Sequence, residues 1–416
     1  MKKLVSILMV LFVLVLTACG GGESVGDSDK KKTTNSDGTE IVKFWYYFSG
    51  KQEDLFKDLV KEYNKSQDKV KVEAEYVPFP DTKKQLSVGI AGGTLPDAIL
   101  LDNVDNASFA AMGVLEDLTT KLEKWEATET FIEGPLNSAK YEDKYYGLPY
   151  ASNCLGLFYN EELFAQAGIT EPPTTWAEFR EAAKKLTKGD VKGLGIAANK
   201  SEEGTFQFYP YLKSSGGDYT DLAAEGPINA LSLLKDIYDD GSMNKDILNN
   251  TQDDLARQFA QGKIAMMVNG PWNISRIEKE NPNLKFAITQ IPKDKEFASV
   301  LGGENIALIK GGNVDPAWDF VKWLFEPERY EEFTADTGVF PARKDVLEGS
   351  DFWKNDKYLK GFVPIMDVAD PRGPSPDWPK VSEAIQIAIQ EALTETKSPE
   401  EAMKGAAKKV ESLMNK

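Results

Sequence analysis

The chain has no histidine among its 416 residues. That removes histidine acid–base catalysis, serine triads built on histidine and most zinc sites, while leaving carboxylate chemistry open. Cysteine is nearly as scarce, with only Cys19 and Cys154. If Cys19 is modified, as argued below, Cys154 has no partner and no disulfide holds the fold. A long hydrophobic run is also missing. Leu4 to Leu16 is apolar except for Ser6, short of the ~20 residues a membrane span needs. Positive charge is in deficit, with 49 Lys and Arg against 66 Asp and Glu, so the acidic body argues against nucleic-acid binding. No internal repeat is visible, and neither a metal nor a cofactor is expected.

The N-terminus has Lys2 and Lys3, then the apolar run, then Thr17-Ala18-Cys19. A basic start, a short apolar stretch and small residues describe a secretory signal. Leu16-Thr17-Ala18-Cys19 resembles the bacterial lipobox, which implies cleavage before Cys19 and lipidation of that residue. From Gly20 to Glu40 the only large apolar residue is Val25. Such a composition reads as a flexible stalk. The 376 residues beyond it exceed the usual size of one core, which makes two domains the expectation.

Ile41 to Phe48 reads as a strand rich in aromatic and β-branched residues. Leu55, Phe56, Leu59, Val60 and Tyr63 mark one face of a helix over Gln52 to Gln67. Val70, Val72, Ala74 and Tyr76 alternate along a half-buried strand. A second amphipathic stretch, Thr82 to Ala91, leads through Leu95-Pro96-Asp97 to a buried strand at Ala98 to Leu101. Strands alternating with helices predict a parallel α/β sheet with ligand-binding loops at the strands' C-terminal ends. The alternation resumes with a strand at Leu155 to Tyr159 and a capping box, Thr175-Trp176-Ala177-Glu178, opening a helix to Leu186. A helix runs from Pro227 to Tyr238. Strands follow at Ile264 to Val268, Phe286 to Ile288 and Asn305 to Ile309, and helices at Val381 to Leu393 and Pro399 to Met414. Among Phe206, Phe208 and Tyr209, alternation lets only one face, Phe206 with Phe208 or Tyr209 alone, stand clear of the core.

Two segments carry a functional signal. In Phe259-Ala260-Gln261-Gly262-Lys263-Ile264-Ala265-Met266-Met267-Val268-Asn269-Gly270-Pro271-Trp272, a helix end turns into a buried strand that breaks at Gly270-Pro271, leaving Trp272 at the strand's edge. The second runs from Tyr146-Gly147-Leu148-Pro149-Tyr150 to Leu157-Phe158-Tyr159-Asn160, with Pro172-Pro173-Thr174-Thr175-Trp176 downstream. Both resemble signatures of the extracellular solute-binding proteins of the maltose and oligosaccharide group, which serve bacterial ABC sugar transporters. Leu95-Pro96-Asp97, Gly113-Val114-Leu115-Glu116-Asp117-Leu118 and Gly302-Gly303-Glu304-Asn305 add to the resemblance, which spans Ile41 to the C-terminus.

The resemblance implies an α/β, two-lobed periplasmic-binding-protein-like fold with a ligand cleft between the lobes. Residues 41–151 and 301–350 would form one lobe, and 152–300 and 351–416 the other, after a signal at 1–18 and a lipidated stalk at 19–40. It also implies a function: capture of an extracellular oligosaccharide, of gluco- or galacto-type, and delivery to permease subunits by a monomer. The protein would be lipid-anchored, carrying palmitate on Cys19, on the outer face of a Gram-positive cell membrane, with no other membrane contact. A pyranose presents an apolar face and a rim of hydroxyls, so aromatic rings and mixed donors and acceptors are the residue types required. The resemblance places Phe48, Lys51, Asp102, Asn103, Asn153, Phe206, Tyr209, Trp272, Glu304 and Trp378 at the ligand. At Asn153 the maltose binders carry Glu, which leaves the sugar open. The alternatives are a binder of a polyamine or glycerol phosphate, and a cell-surface glycoside hydrolase using paired carboxylates.

Overall fold

The computed structural model describes residues 38–373 and 375–414. The signal, Cys19 and nearly all of the stalk lie outside the described residues. No helix among the described residues is long and apolar enough to cross a membrane.

Two sheets organise the body. In the first, β1 (Glu40–Tyr46) pairs in parallel with β2 (Val70–Tyr76) and β3 (Ala98–Asp102). The helices Lys51–Ser66 and Phe79–Gly92 make the crossovers. Val42, Phe44 and Tyr46 alternate into one core with Phe56, Val60 and Tyr63 of the first crossover helix. β3 is buried on both faces, Ala98 and Leu100 on one side and Ile99 and Leu101 on the other. This explains its unbroken apolar sequence. The sheet is completed by β4 (Leu148–Asn153), then by a strand from far along the chain.

The second sheet holds β5 (Gly156–Asn160), β6 (Lys192–Gly195), β7 (Ile264–Asn269) and β8 (Phe286–Thr289), in the order β8-β5-β7-β6. The chain returns to the first sheet through β9 (Ser299–Leu308), antiparallel to both β3 and β4. β10 (Ala369–Pro371) pairs with the start of β9. Ser299 ties the two passages between sheets together: its Oγ donates to the Leu155 carbonyl at 2.7 Å and accepts from the Leu155 N–H at 3.1 Å. The fold is two-lobed α/β, but the sheets are mixed rather than parallel. β9 enters against β3, and β5 pairs antiparallel with β7 and β8. Strand–helix alternation predicts local crossovers and says nothing about a strand arriving from a distant part of the chain.

A second correction concerns Phe206, Phe208 and Tyr209, which lie on a helix, Glu202–Ser214, capped by Ser201. Thr205, Phe206, Phe208, Tyr209 and Tyr211 favour strands locally, and Pro210 sits inside the helix. Burial overrides both signals, because nearly every residue of the helix is enclosed and a helix apolar all round belongs in a core. Thr205 Oγ1 anchors it by donating to the Ser382 carbonyl at 3.2 Å, and Gln207 Nε2 donates to the Val268 carbonyl at 3.0 Å.

Candidate functional site

A cavity of about 340 Å³ opens at the C-terminal ends of the parallel strands. Tyr47, Phe48 and Ser49 follow β1, Pro78 to Pro80 follow β2, and Asp102 ends β3. From the other sheet comes Trp272, just after β7, and from the helix Glu202–Ser214 comes Phe206. Asn153 ends β4, and Gly302, Gly303 and Glu304 are contributed by β9. Both sheets therefore supply walls, as expected for a cleft between lobes.

The aromatic wall depends on two glycines. Trp272 is half-buried, its ring 6.3 Å from that of Phe206. Any side chain at Gly270 would run into the Trp272 ring, so the ring lies against bare backbone. At Gly302 a side chain would strike Asn153 Oδ1 and the Phe206 ring, both of which line the cavity.

The polar wall is built on buried charge. Arg372 is 2% exposed. Its Nη2 lies 3.0 Å from Asp102 Oδ1 and its Nη1 2.6 Å from Glu202 Oε1, and its guanidinium carbon stands 4.3 Å from the centre of the Phe206 ring. Lys83 reaches Asp105 at 3.2 Å and Glu202 at 3.3 Å. Burial raises the Asp102 carboxyl above its usual range despite Arg372. Burial also opposes ionisation of Glu202, but Lys83 and Arg372 together hold it below the usual range. Glu304 has no such partner: burial, reinforced by Asp102 and opposed by Arg372, pushes it up to about 8. Across the mouth, Ser49 Oγ donates to Asp253 Oδ2 at 3.0 Å, and Arg276 holds that carboxylate at 2.8 Å.

Several buried polar atoms of cavity residues have no hydrogen-bond partner among the described residues: Tyr47 Oη, Asn153 Oδ1, Gln252 Nε2, Glu304 Oε2 and Arg372 Nε. Each costs ~1–3 kcal/mol if left unpaired. Five of these atoms gather on residues of one cavity, where water or a ligand can complete the bonding.

Of the residues expected from sequence, Phe48, Asp102, Asn153, Phe206, Trp272 and Glu304 line the cavity. Four do not. Lys51 starts the first crossover helix, half-exposed, 3.6 Å from Asp336. Asn103 is buried beside Arg372 Nη2 at 3.5 Å. Tyr209 donates its hydroxyl to the Pro371 carbonyl at 3.1 Å. The Trp378 ring is fully buried against Tyr209 and Tyr219, and its Nε1 donates to Glu202 Oε1 at 3.0 Å. It supports the charge network behind the wall instead of facing the cleft.

Sequence reasoning missed Tyr47, Gln252, Asp253 and Arg372. A signal existed for Tyr47, an aromatic residue directly after β1, where the loops of a parallel sheet carry ligand sites. The Thr251–Asp254 capping box marks the helix start that carries Gln252 and Asp253. Nothing local marks Arg372.

The pattern describing bacterial extracellular solute-binding proteins matches residues 58–361. A maltotriose-binding protein of Pyrococcus abyssi is 27% identical over 86% of this chain and 79% of its own length. A solute-binding protein of Thermotoga lettingae, solved with α-D-tagatose, superimposes with a TM-score of 0.84 at 27% identity, covering 90% of this chain and 99% of that one. The GacH receptor of Streptomyces glaucescens, solved unliganded and with acarbose, gives a TM-score of 0.82 at 26% identity, over 90% and 98%.

Proposed function

Because the chain belongs to the bacterial extracellular solute-binding proteins, we propose that its cavity captures a short oligosaccharide and delivers it to the permease of an ABC transporter. The observation that carries this reading is the pairing of an aromatic wall, Phe206 and Trp272, with five unpartnered polar atoms of both donor and acceptor type. A pyranose fits both, ring face to aromatic and hydroxyl rim to the polar atoms. The volume stands near the low end of small-molecule sites, ~300–1,000 Å³, which favours few sugar rings. The sugars that its relatives are named for, or were solved with, support the same class.

The lobes we propose are 41–151 with 301–350, and 152–300 with 351–416. A ligand touching both favours their closed arrangement by its differential affinity for it. The protein acts as a monomer, tethered outside the cell by lipid on Cys19 and without enzymatic turnover.

The test is a melting screen against di- to tetrasaccharides, neutral and amine-bearing, followed by recovery of the best binder. Ligand at ~100 times its Kd adds ~2.7 kcal/mol to stability, so one or more sugars raise the melting temperature and are recovered intact. A silent screen, or cleaved sugar whose release stops on substituting a cavity carboxyl, would sink the reading. Anchoring is tested separately. Cys19→Ala should move the protein from the washed membrane pellet to the medium, and retention in the pellet would refute the lipid tether.

A further inference from the structure

Four carboxyl residues line the cavity: Asp102, Glu203, Asp253 and Glu304. Asp102 is matched by Arg372 and Asp253 by Arg276. The other lining cation, Arg257, is half-exposed and turned to Asp254 at 2.8 Å. Glu203 is held by neutral donors, the Asn199 amide at 2.8 Å and the Gln252 N–H at 3.4 Å. That leaves Glu304. It stands opposite Asp102 in the β3–β9 register, with the Arg372 guanidinium, Tyr47 and Tyr330 as its other ionisable neighbours. Arg372 and Lys83 are already shared among Asp102, Asp105 and Glu202, so with Glu304 the cluster holds four carboxyls against two cations.

The unpartnered atoms show where that charge belongs. Three are oxygens: Glu304 Oε2, Asn153 Oδ1 and Tyr47 Oη. Asn153 pairs with Gly302, two residues before Glu304 on the same strand, and Tyr47 lines the same cavity. A sugar hydroxyl brings one proton and no charge, and an amide would serve it as well as a carboxyl. An ammonium brings three donors and the missing charge. It also gains from the aromatic faces of Phe206 and Trp272.

We propose that the preferred ligand is an amino sugar, a short saccharide whose protonated free amine seats against Glu304. This deepens the oligosaccharide reading and rests on it. Without ligand, Glu304 keeps a proton, in line with its position at about 8. When the ammonium binds, that proton leaves Glu304 for the solvent, and a carboxylate–ammonium pair remains.

The test uses matched short saccharides, α- and β-linked, that differ in one group: hydroxyl, free amine or acetamide. Calorimetric titration at pH 6, where both amine and Glu304 carry protons, is run in two buffers of different protonation enthalpy. At least one amine form is expected to outbind its hydroxyl counterpart ~30-fold, the scale of a buried charge-assisted bond. It should also release about one proton per site, which a neutral sugar does not. In Glu304→Gln the amine's advantage and the proton release both vanish. If no amine form outranks its hydroxyl or acetamide counterpart, or if the advantage survives in Glu304→Gln, the inference falls. Neutral sugars that bind in that case would leave the broader reading standing.

Discussion

Trp272→Ala is expected to bind the transported sugar at least thirtyfold more weakly while melting close to the parent. The Gly270-Pro271 break ends β7 and starts a short 3-10 turn, which sets the ring at the cavity wall beside Phe206. Loss of a packed aromatic contact at an interface commonly costs over ~2 kcal/mol, which is about thirtyfold in affinity. The ring is half-buried, unlike the fully enclosed Trp378 and Trp353. Its removal therefore opens the cavity wider instead of leaving a sealed void of the kind that destabilises cores by several kcal/mol. Calorimetric titration and unliganded melting, measured on the same preparation, separate the two roles. A variant that melts many degrees lower and binds sugar as tightly as the parent would make Trp272 a packing residue.

Arg372→Leu should produce the largest loss of stability. The guanidinium is enclosed between Asp102 and Glu202, themselves 6% and 2% exposed. Taking it away leaves Asp102 without its ion-pair partner and Glu202 with Lys83 alone, and breaking a buried pair costs ~3–5 kcal/mol. For a body of this size that corresponds to a melting temperature lower by about 5 °C. The loss should depend on pH with a definite sign. Without Arg372, burial holds Asp102 further above its unfolded value, so the unfolded chain gives up its proton first as pH rises. The folded state then binds more protons, and stability falls with rising pH until the folded groups ionise. The deficit relative to the parent is therefore small at pH 4 and full at pH 8. Equal deficits at the two pH values would show that Arg372 contributes through packing on Phe206 alone.

Much of the local architecture was legible because the periodicities are local. Alternation along β1 and β2, the apolar run of β3 and the capping box at Thr175 each depend on a few adjacent residues, and the corresponding elements form within a few residues of expectation. The helix Pro399–Met414 coincides with its expected span. The same local logic failed at Glu202–Ser214, where strand-favouring aromatics fold as a helix because they are enclosed on all sides. It failed again at β2, where Tyr76, expected inside, is 45% exposed and lines the cavity.

By itself, the sequence determined which chemistry the chain could host. The absence of histidine and the scarcity of cysteine are properties of composition, and the Gly270-Pro271-Trp272 break is written in consecutive residues. Only the tertiary structure decided which polar groups meet. Asp102, Glu202, Glu304 and Arg372 come from four separate stretches of chain, Asp102 and Arg372 standing 270 positions apart. Whether a carboxyl among them is ionised depends on burial and on the nearest opposite charge, and both arise from packing. That is why Trp378, at the start of the helix Trp378–Leu393, turns inward to hold Glu202, and why Arg372, with no local mark at all, stands at the cavity wall.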